Sequence, residues 1–322
     1  MAQPTSSQVH AINVPLTNIS TAYIQDQSNF IAGKVFPRVS VKKQSDAYYT
    51  YTKNSWLRDE ARPRAGGTES VGSGYEVSTS TYTAKVWAIH KNIDDQARNN
   101  ADAGINLDRD ATEFVTQRLL LSREIQWMTD FFTTSVWATD STPSALWSAY
   151  ATSDPVTDIE TGKTTILAST GYKPNTLVLG YEVFVKLKNH PDIIDRINRF
   201  NATGSIVNAT EQMLAVLFGV SNVYVSMGIK ATNVEGETAA TSFVAGKHAL
   251  IAYVAPRPSL MTPSAGYTFS WDGVVGGMAG AEVGIKKFYI PEIASDRVEG
   301  QLAYANKVIG SDLGYLLASV IS

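Results

Sequence analysis

The chain has 322 residues, 44% hydrophobic and 18% charged, with a formal net charge of −3 and no cysteine. That length supports a sizeable core without staples, and the lack of cysteine excludes disulfide frameworks, cysteine-ligated zinc, iron–sulfur clusters and thiol nucleophiles together, in keeping with assembly in a reducing cytoplasm. So mild a charge argues against a protein that coats nucleic acid or a membrane as a whole. A charged fraction below the roughly 25% of ordinary soluble domains indicates that much of the surface does not face water.

Residues 1–34 carry Ser, Thr, Asn and Gln without a sustained period and read as an extended arm, with no basic stretch or long apolar core of a secretory signal. The longest apolar stretches, MLAVLFGVSNVYV and LGYLLASVI, are too interrupted or short to cross a bilayer. In KVFPRVSVKK, Val35, Val39 and Val41 around Pro37 suit an edge strand, because proline cannot donate to a ladder. DAYYTYT and, after a turn-rich centre, YEVSTSTYTAKVWAIH are β-favouring arms. Along 75–84 neither alternating face is greasy enough for a core, so the ribbon projects. Ten residues per arm would reach about 33 Å, and because an isolated hairpin is marginal in water it needs a surface to lie on. The connection from Leu57 to Gly74 has 18 residues, longer than structureless connections usually run unless functional or disordered. Over 34–64, eight basic residues stand against three acidic ones.

After the interruption NNADAGIN comes the clearest element. Leu107, Ala111, Phe114, Leu121, Ile125, Met128 and Phe132 recur at helical steps, and Asp108, Asp110 and Glu113 place acid at the N-terminal turn. The spacing predicts one helix from Asp108 to about Trp137, roughly 45 Å long. A Ser/Thr/Pro-rich segment follows over 139–165. Next come a buried strand at Thr176–Leu179, a helix over Tyr181–Asn189 limited by Pro191, and a helix opened by Asn208 with Glu211 and stopped by Gly219. Strands at Val223–Met227 and in KHALIAYVA precede a return to strands and Gly-rich turns from about 267. No internal repeat is present.

Catalytic signals are weak. ETGKTT (160–165) matches the end of a phosphate-binding loop, with Gly162, Lys163 and Thr164 as its candidates, but Thr157 stands where the motif needs glycine and no buried strand precedes it. A surface turn is the simpler reading. His10, His90, His190 and His248 show no metal-ligand spacing. Ser73 between glycines lacks the strand–elbow–helix setting of a hydrolase, Asp108, Asp110 and Glu113 are explained by helix capping, and GVVGGMAG (273–280) lacks dinucleotide spacing. No constellation supports an enzyme, a metal or a cofactor.

Taken in order, GKVFPRVSVKKQSDAYYTY, RPRAGGTES, the long helix, TLVLGYEVFVKLKNHPDIIDRI, LAVLFGVSNVYV and VEGQLAYANKVIGSDLGYLLAS resemble the major capsid protein of tailed bacteriophages, with the Hong Kong 97-type fold, from about residue 30 onward. The resemblance implies an α+β chain divided into an N-terminal arm and edge strand (1–44), an extended β-hairpin loop (45–92), a peripheral domain with a spine helix (93–160 and 263–303) and an axial α/β domain (161–262 and 304–322). It implies a structural subunit that self-assembles as hexamers and pentamers into an icosahedral virion shell around double-stranded DNA, built in the host bacterial cytoplasm. RDEARPRAGGTES becomes the tip of the extended loop, lying across a neighbouring subunit. There Arg58, Arg62 and Arg64 offer forked bonds to carboxylates, Tyr51 and Trp56 offer aromatic contacts, and Lys53 is a further loop contact, with no cross-link expected from it. Expected partners are copies of the chain, a portal protein, a separate scaffolding protein since the loop begins too early to follow a long scaffolding segment, a decoration protein, and DNA by weak non-specific contact, but no membrane. The competing readings are an encapsulin-like nanocompartment shell, a phage tail or baseplate protein, and a nucleotide-binding enzyme using Lys163.

Overall fold

The computed structural model of the chain describes residues 25–101, 106–200, 209–234, 236–258, 262–274 and 283–322. In chain order, β1 (Arg38–Val41) leads to β2 (Ser45–Tyr51), the one-turn helix α1 (Lys53–Trp56), β3 (Val77–Thr83), β4 (Lys85–Asp94), the short helix α2 (Asp95–Asn99) and the long helix α3 (Leu107–Phe131). After β5 (Thr139–Ser141) come α4 (Pro155–Thr170), β6 (Thr176–Gly180), α5 (Tyr181–Lys188), α6 (Pro191–Phe200), α7 (Glu211–Phe218), β7 (Asn222–Ser226) and the small ribbon of β8 (Ile229–Ala231) with β9 (Thr241–Phe243). The remaining strands are β10 (Ala249–Ala252), β11 (Gly266–Trp271), β12 (Gly284–Ile290), β13 (Ser295–Val308) and β14 (Gly314–Leu317).

Two five-stranded sheets carry the fold. The first runs β1-β11-β13-β12 with β4 also on β13, and β1, which starts directly after Pro37, takes an edge. Its long member is β13, which pairs with β4 over 295–304, with β12 over 295–301 and with β11 over 304–308. Helix α3 covers one face of this sheet. At Gly300 a Cβ would meet Leu119 Cδ1 at 2.8 Å, so the strand needs glycine for the helix to come so close. The second sheet, β5-β14-β10-β6-β7, is covered on both sides. Leu177, Leu179, Ile251 and Leu317 pack with the side chains of α4, α5, α6 and α7, while Val178, Leu250 and Leu316 pack with Trp127 and Phe131 at the C-terminal end of α3. The spine helix therefore joins the two sheets.

Three expectations about α3 change. It ends at Phe131 rather than near Trp137, because Ser135 adopts a left-handed φ of 66° and the Trp137 indole folds back to donate to the Phe131 carbonyl at 2.8 Å. Its inward face is Ala111, Val115, Leu119, Leu120, Trp127, Met128 and Phe131. Phe114 is 42% exposed, and its ring lies beneath the Lys91 ammonium and the Arg118 guanidinium at 5.6 and 5.2 Å, so an aromatic in phase with the helix period is held by cations instead of a core. The N-cap is Asn106, whose side chain accepts from the Arg109 N–H at 3.1 Å.

Asp108 is committed elsewhere. The Arg98 guanidinium grips it at 3.1 and 2.9 Å, Lys287 donates to it at 2.9 Å, and Arg98 also reaches Asp296 at 2.8 Å. These bonds, those from Arg98 first and from Lys287 next, lower its carboxyl to about 2. A depressed carboxylate stabilises the fold above its unfolded pKa and loses that contribution as pH falls through the folded value. Asp108→Asn is thus expected to melt lower than the parent at about pH 6 and to lose less between about pH 4 and 2. Parallel melting curves for the two proteins across that window would remove the network's role.

The polar segment 139–165 hides a helix. Asp154 caps α4 through the Thr157 N–H at 3.1 Å, Pro155 opens it, and Gly171 ends it at φ 76°, a cap-and-proline start that the abundance of threonine obscured. Gly162 lets α4 settle on the second sheet, since a Cβ there would meet Ile251 Cδ1 at 2.7 Å and Tyr315 Cδ1 at 2.9 Å. The cap of α7 is Thr210, Asn208 lying outside the described residues, and Gly219 ends that helix at φ 61° as its sequence requires. Of the expected arm, residues 1–24 lie outside the described residues, but Phe30, Ile31, Ala32, Val35 and Phe36 are buried. Two of the expected domain limits, 160/161 and 303/304, fall inside the continuous elements α4 and β13. Among the described residues no helix is long and apolar enough to cross a membrane.

Candidate assembly surface

The ribbon of β2 and β3 is antiparallel, in register from Ser45 opposite Thr83 to Tyr51 opposite Val77. Each arm has seven residues, about 23 Å, shorter than expected because the chain turns at Ala84. That residue is buried and its N–H donates to the Gln44 carbonyl at 2.8 Å, after which β4 joins β13. The root of the ribbon does not project. Tyr82 stacks on Phe269 of β11 with ring centres 4.6 Å apart and planes 10° off parallel, and Tyr48 lies 5.5 Å from the same ring. Tyr267, Ala305, Val39 and Val41 complete this small core. One aromatic per arm is enough to seat the root on the chain's own sheet, which counting apolar residues along the arm underrates.

The outer end differs. Tyr51, Trp56 and Tyr75 pack together with ring centres 5.6 to 6.3 Å apart, yet Trp56 is 52% and Tyr75 61% exposed, and neighbouring Leu57, Val71 and Val77 are exposed as well. Apolar side chains concentrated on a segment with no core of its own make this end a candidate contact surface. The charge there is balanced: over 57–76 Arg58, Arg62 and Arg64 face Asp59, Glu60, Glu69 and Glu76. Arg58 lies 3.7 Å from Glu60, Arg62 donates to the Ala61 carbonyl at 3.1 Å, and Arg64 donates to the Thr68 carbonyl. Lys53 pairs with Asp312 of the same chain while its side chain stays about half exposed.

A second apolar patch lies far from this tip. Phe288, Tyr289 and Ile293 are exposed around the turn between β12 and β13, beside exposed Glu292. That turn precedes the first residue of β13, whereas Asp312 follows its last. At about 3.3 Å per residue β13 itself spans roughly 45 Å, so the second patch and Asp312 lie toward opposite ends of that strand. Sequence reading passed over Tyr75, Tyr82 and this second patch; the signal available was an aromatic residue in an otherwise polar strand.

The enzyme-like signals resolve into structure. Lys163 is in the middle of α4, buried, donating to Glu160 Oε1 at 2.7 Å and to the Phe218 carbonyl at 2.6 Å. It satisfies the last turn of α7, and a helix interior offers no loop to cradle phosphate. His190 is buried, its Nε2 3.0 Å from Ser153 Oγ; His248 Nδ1 accepts from the Ser319 N–H at 2.9 Å. Burial holds both imidazoles below their usual range. His90 is exposed on β4, Ser73 bonds to Glu60 within the tip, and His10 and most of GVVGGMAG lie outside the described residues. Among the described residues no three His, Cys, Asp or Glu side chains gather at metal-binding distance.

No protein-family model matches the chain. It is 22% identical over 330 aligned positions to the major capsid protein of Burkholderia phage BcepMu, covering 98% of each chain. Among solved structures, a phage-related protein from Bordetella bronchiseptica RB50 superposes with a TM-score of 0.67 at 23% identity, covering 92% of this chain and 93% of that one. The mature capsid of bacteriophage PhiM1 superposes with a TM-score of 0.59 at 12% identity over 93% and 89% of the two chains.

Proposed function

We infer that this chain, which has the Hong Kong 97-type fold of tailed-phage capsid proteins, is a major capsid protein: a structural subunit that assembles with copies of itself into the head shell of a virion. The observation that carries this reading is the end-to-end alignment with a phage major capsid protein over 98% of both chains, joined to a ribbon whose exposed outer end has no core of its own. It favours a phage head over the encapsulin-like alternative, and the role is structural rather than catalytic.

In this reading the ribbon is the extended loop, the first sheet with α3 is the peripheral domain, and the second sheet with α4–α7 is the axial domain. Hexamers and pentamers would close around double-stranded DNA, with a portal protein, a separate scaffolding protein and a decoration protein as further partners. The tip of one copy meets the Phe288/Tyr289/Ile293 patch of the next, with Arg58, Arg62 or Arg64 near Glu292. Tip and patch are different surfaces, so the contact made without its reciprocal is head-to-tail, the type that closes into rings, and many weak contacts hold a closed shell.

Electron microscopy of the purified chain, with and without the products of neighbouring genes, is expected to show closed shells; a monomer at high concentration under both conditions would reject the reading. The chain has no cysteine, so Arg62→Cys with Glu292→Cys introduces the only thiols. Mild oxidation of assembled particles is expected to produce a ladder of covalent multimers. Shells that yield only monomer would place the tip on some other surface.

A further inference from the structure

Among the described residues, a polar contact that ties the ribbon to the body beyond Tyr48 is the pair between Lys53 and Asp312. Its partners are 259 positions apart in sequence and belong to very different settings. Asp312 lies in a single 3-10 turn, Ser311–Leu313, between β13 and β14. That turn is pinned: the Ala138 N–H donates to the Ser311 carbonyl at 3.1 Å, the Tyr253 N–H donates to the Leu313 carbonyl at 2.8 Å, and the Leu313 side chain is buried. Burial would push the Asp312 carboxyl up, but the Lys53 ammonium, with help from Ser311, brings it below its usual value. Lys53, in contrast, is the first residue of α1, whose last residue is Trp56. The Lys53 carbonyl accepts from the Leu57 N–H at 3.2 Å, and Trp56 in turn packs on Tyr51 and Tyr75. A fixed point on the rigid junction of the two sheets thus holds the residue one helical turn from the exposed aromatic cluster.

We propose that Lys53 and Asp312 form a strut that aims the ribbon's outer end, making Lys53 a positioning residue within its own subunit rather than a contact to the neighbour. The proposal rests on the shell-subunit reading above. Its physical basis is pre-organisation: a tip already held in its docking direction loses less conformational freedom when it meets the next copy. The pair is part-exposed, so its effect is modest for one subunit, yet it repeats at every tip in the shell.

The test compares Lys53→Ala, Asp312→Ala and the charge-swapped double variant Lys53→Asp with Asp312→Lys. The protein concentration at which shells appear is followed by light scattering at low and high salt, with the melting temperature of the unassembled subunit as a folding control. Each single variant is expected to raise the threshold about threefold at low salt, within the roughly fivefold that an exposed ion pair sustains. The swap is expected to restore the parent threshold, and high salt to erase the difference between parent and single variants. Single variants with the parent threshold would overturn the strut, as would a lower threshold, which would make the pair a brake, or a swap that fails to restore assembly. A parent chain that makes no shells either alone or with the products of neighbouring genes would reject the shell-subunit reading itself.

Discussion

Replacing Glu124 with alanine is expected to destabilise the subunit by about 3 kcal/mol or more, the low end of what three orphaned buried donors cost. Glu124 sits on the inward side of α3 with no exposed surface. One carboxylate oxygen accepts the N–H groups of Ile31 and Ala32 at 3.0 and 2.8 Å; the other accepts the Ser226 hydroxyl at 2.8 Å. A single side chain thereby satisfies two backbone donors of the N-terminal segment and ties that segment to α3 and β7. Burial pushes the carboxyl above its usual range, outweighing the bonds from Ala32, Ser226 and Ile31. The stabilisation associated with a raised carboxyl is full below its unfolded pKa and is lost as pH rises through the folded one, opposite in sign to Asp108.

Glu124→Gln separates charge from hydrogen bonding. Its carboxamide oxygen can accept both N–H groups while its nitrogen donates to Ser226, so its stability is expected to lie within about 1 kcal/mol of the parent and to lack this carboxyl's pH dependence. Melting temperature and amide exchange at Ile31 and Ala32 report the outcome. If the alanine variant melts with the parent and protects those amides equally, Glu124 does not hold the segment.

The second large effect is expected at the ribbon tip. Trp56→Ala combined with Tyr75→Ala should leave the melting temperature of the isolated subunit nearly unchanged, because both rings are more than half exposed and pack chiefly on each other and on Tyr51. Shell formation should fail at concentrations where the parent assembles. Buried aromatic anchors at interfaces contribute about 2 kcal/mol or more each, so losing one such contact raises the required concentration about thirtyfold, and losing both raises it further. Normal shell yield from the double variant, counted by electron microscopy, would move the principal contact away from the tip. Equal loss of assembly and of subunit stability would instead assign these rings to the subunit's own fold.

Local chemistry made much of the architecture legible. Gly219, Pro191 and the apolar runs at Thr176–Leu179 and KHALIAYVA set their elements through backbone sterics and burial on both sides, effects that act over a few residues. The α4 helix was equally local, with Asp154 and Pro155 at its start, but threonine's low helix propensity masked it. The C-terminal end of α3 was not local: Trp137 could have prolonged the helix, and it turned back because the Phe131 carbonyl and an aromatic core with Phe36 and Trp127 were there to receive it.

The candidate surface divides in the same way. Sequence alone placed Tyr51, Lys53, Trp56, Arg58, Arg62 and Arg64 on a ribbon with too little apolar surface to form a core, since alternation and turn residues are properties of neighbouring positions. Folding decided what each of them meets. It seated the root on Phe269, brought Asp312 to Lys53 across 259 positions, gathered Tyr75 to Trp56, and set a second apolar patch at the far end of β13. Those partners are distant along the chain, and nothing in a run of adjacent residues encodes which distant side chain will stand opposite; that follows from the register of β13 and from the packing of α3 between two sheets.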